Sequence, residues 1–425
     1  MKISRVSGLL LALFASSVLA TPPAAWTLAP WLARDVPQLP AHQQVAVDVA
    51  AERLLTGPAE LLLPLPGGAF QARLDAFELH GAGRAGWRGH LIDHPGHTVI
   101  LSVADAAVAG VVHTPAAVWE LVPARTSGQS WLIELDATRL PPEAPPLVVE
   151  PDHPFVQRPQ VPVEPFDVGE QTDVLVMYSP QARDQAGGES QIVAQAQAAV
   201  NVANGIFANS QMRTRFRIVG VELLADWVEG TTSASAELGA FRVHPVQQAR
   251  RNARAADLVS LLVANLPDAC GIGYLMRSPG AGFAPYAVQI TARSCAVGTM
   301  SWAHEHGHNM GFEHDPANGG APGDASWPWS FGHYVEGPGS AFRTVMAYQC
   351  PAGGCTRRAY FSNPDVTYTG HPTGIEDARD NARTGDLVAD IVANFRQGNA
   401  SGVFCSGFEN AEPGFSCPPA SRPGR

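Results

Sequence analysis

Residues 304–315 carry the sequence His-Glu-His-Gly-His-Asn-Met-Gly-Phe-Glu-His-Asp, which determines how the second half of the chain is interpreted. On a helix, residues four apart share a face, so His304 and His308 can offer two imidazole nitrogens to one cation about 2 Å away. Gly311 can end this helix with a positive φ, and the reversed chain can bring His314 round as a third ligand. The spacing therefore predicts a tetrahedral zinc site with one open position.

Glu305 follows the first histidine and is the candidate general base. A metal-bound water is acidified towards neutrality, and a neighbouring carboxylate can take its proton and pass it to a leaving amine. This chemistry predicts hydrolysis of peptide bonds in protein or peptide substrates. The alternative is a zinc-containing binding protein or pseudoprotease, but such a site would be expected to lose its base first. An exopeptidase stays open, because the motif does not encode the openness of the cleft.

The spacing HExxHxxGxxH, followed downstream by a methionine, resembles the signature of the metzincin superfamily of zinc proteases. Met346, in the sequence Thr-Val-Met-Ala-Tyr, stands where that family has a methionine turn beneath the metal. Tyr348 lies two residues further on, as in astacins and serralysins. The resemblance implies a catalytic phenol at Tyr348 that touches the metal or stabilises the oxyanion. Asp315, directly after the third histidine, is more similar to reprolysins.

The similarity extends over most of residues 172–397, including Cys-Gly-Ile-Gly-Tyr-Leu-Met at 270–276 and Phe-Ser-Asn-Pro at 361–364. Together these segments resemble bacterial peptidyl-aspartate metalloendopeptidases and their reprolysin-like relatives. The resemblance implies an α+β, metzincin-like catalytic domain with a twisted, mostly parallel sheet and a zinc-binding active-site helix. It also implies a β-rich prodomain before this domain, and cleavage on the amino side of acidic residues.

A pocket for acidic side chains needs a cation, and Arg343, Arg357 and Arg358 are candidates, because a guanidinium group binds a carboxylate bidentately. For each arginine taken singly, a surface role is the simpler interpretation. His306 stands where these families more often have an aliphatic residue. Because His306 is two positions from His304, it points away from the ligand face, and we expect it to pack in the core or at the rim.

Residues 166–398 are predicted to form the protease domain. The apolar run 173–178 predicts a buried strand, 216–223 a strand with a bulge, and 258–263 a central strand. Apolar residues at helical spacing predict a long helix and a second helix that closes the domain near Gln397. These residues are Ile192, Ala196, Ala199, Val200, Ala203 and Phe207, then Leu387, Val388, Ile391, Val392 and Phe395.

The first 20 residues combine a basic start, an apolar stretch and Val-Leu-Ala before position 21, which predicts a signal peptide. Residues 21–165 are predicted to be a β-rich propeptide, with Pro-rich sequence at 140–146 and 154–165 forming an extended, protease-accessible linker. The segment could alternatively persist as a binding domain. Its predicted strands are 98–103, 108–112, 118–122 and 131–135.

The predicted propeptide contains no cysteine, so a thiolate from it cannot block the metal. A carboxylate or a histidine could substitute, and Asp-His-Pro-Gly-His at 93–97 is polar enough to be considered. An ordinary turn is the simpler interpretation of that segment.

The net charge of -11 and the lack of a basic patch argue against nucleic-acid or anionic-membrane partners. The apolar stretches are too short to span a bilayer. We expect a secreted, extracellular and monomeric protein. Calcium is left open, since acidic residues occur at 377–380 without an ordered ligand pattern.

An even number of cysteines in an exported chain favours disulfides. We expect neighbours in sequence to pair, which places the last pair in a C-terminal tail of residues 399–425. The pairs are Cys270 with Cys295, Cys350 with Cys355, and Cys405 with Cys417.

Overall fold

Two sheets with one long helix packed between them form the core of the fold. The computed structural model describes residues 21–396 except 30–36, 38, 150–169, 231, 338 and 340. The predicted signal peptide, the second Pro-rich stretch and the tail with Cys405 and Cys417 lie outside the described residues. The prediction of a mixed α and β chain is confirmed.

The first sheet has nine strands, and every neighbouring pair within it is antiparallel. Its spatial order is β1-β2-β9-β8-β7-β6-β5-β4-β3, and a bridge between Ala24 and Leu62 brings the two edges together. The four predicted strands are confirmed as β6 to β9. The strands are β1 (Trp26–Leu28), β2 (Ala41–Val49), β3 (Glu60–Leu65), β4 (Gly68–Gly81), β5 (Arg84–Leu91), β6 (His94–Ala104), β7 (Ala107–His113), β8 (Val118–Pro123) and β9 (Gln129–Leu135).

The curled sheet encloses its own apolar core, into which Trp26 and Trp87 are fully buried. Each indole N–H donates to a backbone carbonyl, Trp26 to Pro64 at 2.7 Å and Trp87 to Pro58 at 2.8 Å. Both buried N–H groups therefore have a hydrogen-bond partner. A short helix, α1 (Ala51–Leu54), and the 3-10 turn Ala137–Arg139 complete this part of the chain.

The second sheet has the order β10-β14-β15-β13-β11-β12. Four of its pairs are parallel, whereas β14 and β15 are antiparallel. The predicted bulge is confirmed at Val219, and the run 258–263 is confirmed as a central strand. The strands are β10 (Leu147–Val148), β11 (Gln171–Tyr178), β12 (Arg215–Leu223), β13 (Leu258–Val263), β14 (Gly271–Leu275) and β15 (Val288–Ala292).

The remaining elements surround the second sheet. Ser179 accepts a hydrogen bond from the Ala182 N–H at the start of α2, and Asp380 caps α7 in the same way. The helices are α2 (Pro180–Ala186), α3 (Glu189–Asn209), α4 (Ala234–Val243), α5 (Pro245–Arg254), α6 (Ser301–Asn309) and α7 (Asn381–Val392), with 3-10 turns Ala281–Tyr286 and Arg293–Cys295. Short strands are β16 (Tyr334–Val335), β17 (Phe342–Arg343), β18 (Thr356–Arg357), β19 (Thr367–Tyr368) and β20 (His371–Pro372).

Helix α3 is buried on both faces, whereas its sequence spacing predicts one apolar face. The difference arises because the first sheet covers the second face. Asn201 donates to Ser102 Oγ at 2.8 Å and Asn209 to Thr98 Oγ1 at 2.8 Å, so these two side chains connect the helix to the first sheet. The closing helix α7 also differs in one detail, since Leu387 is 49% exposed instead of buried.

Two of the three expected disulfides are confirmed, Cys270–Cys295 and Cys350–Cys355. Across the described residues, no helix combines the length and the apolar character needed to cross a membrane. In the acidic stretch 377–380, Asp377 accepts from Arg383 at 2.8 Å and Asp380 caps α7, so both carboxylates are used within the fold.

Candidate active site

Helix α6 carries the first two histidines and ends as the sequence predicts. Gly311 has a φ of 85°, and a side chain there would place its Cβ 2.9 Å from the Met276 carbonyl oxygen. The Phe312 N–H donates back to the Gly307 carbonyl at 2.9 Å, which closes the end of the helix and turns the chain. This turn brings His314 back beside the helix.

The three histidines meet with their Nε2 atoms facing one another. His314 Nε2 lies 3.0 Å from His304 Nε2 and 3.0 Å from His308 Nε2. A carbonyl can only accept, so Nδ1 of His304 donates to Val345 at 2.9 Å, and Nδ1 of His308 donates to Phe312 at 2.7 Å. Each of these two rings therefore presents an Nε2 lone pair to the centre.

The electrostatics of the cluster favour neutral imidazoles. All three histidines are buried, and burial lowers the pKa of each well below its usual value, with a neighbouring histidine of the cluster as the next cause. Neutral lone pairs this close repel one another unless a cation lies between them. The donor set fits zinc, which takes imidazole nitrogens at about 2.0–2.1 Å.

Glu305 is fully buried beside this cluster, and neither carboxylate oxygen has a hydrogen-bond partner among the described residues. Space for its side chain comes from β14, since a Cβ on Gly271 would lie 2.7 Å from the carboxylate Oε1. Burial raises the pKa of Glu305 well above its usual value, the nearby Glu143 carboxylate raises it further, and Arg357 opposes the rise. The group is thus suited to taking up a proton.

A tight turn lies directly under the active-site helix at the predicted methionine. The Ala347 N–H donates to the Thr344 carbonyl at 3.1 Å, and Met346 is fully buried. A Cβ on Gly307 would lie 2.6 Å from the Met346 sulfur. The glycine in the helix and the methionine in the turn therefore allow the two segments to approach closely.

Tyr348 lies over the third histidine, with ring centroids 4.1 Å apart. Its backbone N–H donates to Asp315 Oδ2 at 3.0 Å, so the residue after His314 ties the metal-site turn to the tyrosine. Its hydroxyl donates to the Glu143 carbonyl at 3.0 Å. Burial, followed by the charge of Glu305, raises the pKa of the Tyr348 phenol, which keeps it a hydrogen-bond donor.

His306 packs in the core as expected, with its ring 4.4 Å from Trp302 and Nδ1 3.1 Å from Asn309 Oδ1. Sequence reasoning missed the role of Asn309. Its Nδ2 donates to the Tyr274 carbonyl at 2.8 Å, which fixes helix α6 against strand β14. Its polar character inside a buried helix is the sequence signal that could have identified it.

The three arginine candidates differ in their surroundings. Arg357 is 8% exposed and donates to Glu143 Oε1 at 2.6 Å and to the Thr299 carbonyl at 2.8 Å. Arg343 donates to the Ala347 carbonyl at 2.6 Å. Arg358 instead points to the first sheet, where it donates to the Thr114 carbonyl at 3.1 Å.

The segment that reaches the site from the first half of the chain is not the polar one at 93–97. His97 lies 3.1 Å from the Tyr368 hydroxyl and belongs to a packed aromatic group. Glu143, within the Pro-rich stretch interpreted as a linker, lies beside Arg357 and Tyr348 instead. A lone carboxylate among prolines was the available sequence signal.

Comparison with known proteins shows similarity to metallopeptidases. A model of metallo-peptidase family M12 matches residues 169–362. The peptidyl-Asp metalloendopeptidase of Xanthomonas campestris pv. campestris is 30% identical to this chain, over 83% of this chain and 85% of the relative. The enzyme of the same name from Stenotrophomonas maltophilia is 29% identical, over 83% of this chain and 86% of the relative.

Proposed function

The chain belongs to metallo-peptidase family M12 and is a metalloendopeptidase; from this premise we propose that it binds zinc and uses Glu305 to activate water for peptide-bond hydrolysis. The observation that carries the proposal is the convergence of the Nε2 atoms of His304, His308 and His314 beside the unpartnered Glu305 carboxylate.

Zinc bound by these histidines would acidify a water molecule and polarise the scissile carbonyl. Glu305 would take a proton from the attacking water and deliver it to the leaving amine, since its carboxylate is buried beside the cluster and has no competing donor among the described residues. The Tyr348 hydroxyl already donates to a peptide carbonyl at 3.0 Å, and we assign it the same role on the developing oxyanion.

We propose that the enzyme cleaves on the amino side of acidic residues. The two relatives are named for peptidyl-Asp cleavage, and Arg357 offers a buried guanidinium group close to Glu305 and Tyr348. Among the three candidate arginines, Arg357 is the one that binds a side-chain carboxylate. A second carboxylate could bind in the same way in a substrate complex.

The domain roles are proposed as predicted from the sequence: a signal peptide at 1–20, a propeptide at 21–165, the protease at 166–398 and a tail at 399–425. Secretion is supported by the predicted signal peptide and by the two disulfides, which persist in oxidising compartments.

The test compares purified, processed wild type with Glu305→Gln, with zinc quantified in both and cleavage sites in an unfolded protein mapped by mass spectrometry. We expect one zinc per chain in both proteins, a loss of about 10²–10⁴-fold in kcat/KM for the variant, and sites clustered before Asp or Glu. Full activity in Glu305→Gln would remove the base assignment. A folded wild type without zinc would contradict the proposed metal site. Cleavage sites scattered over all residue types would contradict the proposed specificity.

A further inference from the structure

The described end of the N-terminal segment lies along the outer edge of strand β14. The Cys270 N–H donates to the Pro142 carbonyl at 2.9 Å, and the Ala144 N–H donates to the Gly271 carbonyl at 3.0 Å. Further along, Leu147 and Val148 pair with Tyr274 and Leu275 as strand β10. Residues 142–148 are therefore held along β14 by backbone hydrogen bonds and end in a short strand, so they are not a free linker.

This edge is where an extended substrate would be expected to bind. Without β10, strand β14 is the edge of the sheet, and an edge strand binds extended peptides through its free backbone groups. Gly271 and Gly273 of this strand lie directly against Glu305. A peptide on this edge would place its backbone next to the proposed base.

Glu143 is the residue of this segment that reaches the catalytic groups. Its Oε1 accepts from Arg357 Nη1 at 2.6 Å and from Ser301 Oγ at 2.8 Å, and its carbonyl accepts from Tyr348. Glu143 is 5% exposed, and its buried carboxylate forms an ion pair with Arg357. A buried guanidinium group that loses its carboxylate partner is costly, so a freed Arg357 would favour another carboxylate.

We propose that residues 142–148 are an internal inhibitor, in which Glu143 occupies the subsite that Arg357 and Ser301 form for the acidic side chain of a substrate. This inference rests on the proposed function. It names Ser301, at the start of the active-site helix, as a second specificity residue. It also makes the Pro-rich stretch at 140–146 part of a latent form of the enzyme.

The geometry explains why the segment inhibits instead of being cut. Cleavage on the amino side of an acidic residue requires the preceding residue's carbonyl at the oxyanion position. Tyr348 instead binds the carbonyl of Glu143 itself. Residues on both sides of the Glu143–Ala144 pair are prolines, which lack the N–H needed for further pairing.

The experiment measures latency in the full-length chain. Hydrolysis of a fluorogenic peptide with one aspartate is compared before and after limited proteolysis in the second Pro-rich stretch, residues 154–165. The intact mass is verified in each sample. We expect intact wild type to have about a tenth or less of the activity of the processed enzyme. Glu143→Gln should raise the intact-to-processed ratio by about tenfold or more.

Glu120→Gln is the matched control, because Glu120 is also buried against the second half of the chain, where its Oε2 accepts from the Gly298 N–H at 3.2 Å. Glu120→Gln should not relieve latency, so its intact-to-processed ratio should not rise above that of wild type. Ala144→Pro is a second variant that removes the hydrogen bond to Gly271 but keeps Glu143, and it should also relieve latency. Unchanged latency in both folded segment variants would overturn the proposal.

A binding measurement separates this proposal from the proposed function. Fluorescence anisotropy follows a labelled peptide with one aspartate, and its asparagine counterpart, on full-length Glu305→Gln with and without Glu143→Gln. We expect tighter binding of the aspartate peptide once Glu143 is replaced, whether or not wild type is catalytic. Equal affinity with and without Glu143→Gln would refute the inhibitor, whereas tighter binding without turnover in processed wild type would refute only the proposed activity.

Discussion

The histidine-rich stretch 304–315 and the segment 142–148 reach the same site by different routes. Two of the histidines share a helix, and a three-residue turn after Gly311 brings in the third. Glu143 instead meets Arg357 across 214 positions of sequence. The first arrangement follows from the local geometry of the chain, whereas the second requires two sheets to be built and docked.

The two regions have different proposed roles, since residues 304–315 serve the hydrolysis reaction and residues 142–148 inhibit it. Residues 304–314 supply the three candidate metal ligands and the proposed base from one continuous segment. The 142–148 segment, which we propose to be an inhibitor, depends on the edge of β14 being free to pair. Substitutions in the two regions should therefore affect different measurements.

The largest expected effect comes from replacing one metal-site histidine. His308→Ala removes one of three converging nitrogens, so we expect loss of bound zinc and a fall in kcat/KM of about 10³-fold or more. His306→Leu, two positions away on the same helix, is the control and should retain zinc, because His306 packs on Trp302. Zinc quantification in both purified proteins checks this, and stoichiometric zinc in His308→Ala would contradict it.

Arg357→Gln should reduce the preference for acidic substrates more than it reduces turnover. Losing a buried charge partner should lower the kcat/KM ratio of aspartate to asparagine peptides by about 10–100-fold in processed enzyme. Arg358→Gln is the neighbouring control, and its ratio should stay at the wild-type value, because Arg358 points to Thr114. An unchanged ratio in Arg357→Gln would assign the specificity to another residue.

Gly271→Ala tests the close approach of β14 to the base. The added Cβ would lie 2.7 Å from Glu305 Oε1, so we expect kcat/KM to fall about tenfold and unfolding to become easier by about 1–3 kcal/mol. Gly239→Ala is the control, because a Cβ there meets no atom within 4 Å. Steady-state kinetics and thermal unfolding measure both effects, and wild-type kinetics in Gly271→Ala would show that the strand can shift.

The remaining prediction concerns the docking of the first sheet, where the expected effect is on stability alone and depends on pH. Burial raises the pKa of Glu120 to about 8, although the Gly298 N–H and then Arg293 oppose the rise. The folded state therefore disfavours the carboxylate, and stability falls as pH rises from about 4.5 to 8. Glu120→Gln should then stabilise the full-length chain by about 2–4 kcal/mol at pH 8 and by little near pH 4.5.

Thermal unfolding at both pH values measures this effect, in a Glu305→Gln background that prevents self-digestion. Equal stabilisation at the two pH values would show that the carboxylate of Glu120 does not carry the pH dependence.

Much of the framework could be predicted because it depends on short-range patterns. Strands β6 to β9, β11 and β13, the end of α6 at Gly311 and two disulfides agree with the sequence predictions. Two details could not be predicted, the second buried face of α3 and the exposure of Leu387. Both depend on which element packs against a helix, and helical spacing carries no such information.

By itself, the sequence determined the candidate ligands and base, because a helix puts residues four apart on one face and a glycine reverses the chain. Only the tertiary structure decided which of the three arginines pairs with a carboxylate, and which acidic residue supplies that carboxylate. That choice depends on a parallel pairing of β10 with β14 and on a buried charge pair between distant segments. Such contacts are selected by the shape and the electrostatics of the assembled fold, which no local pattern encodes.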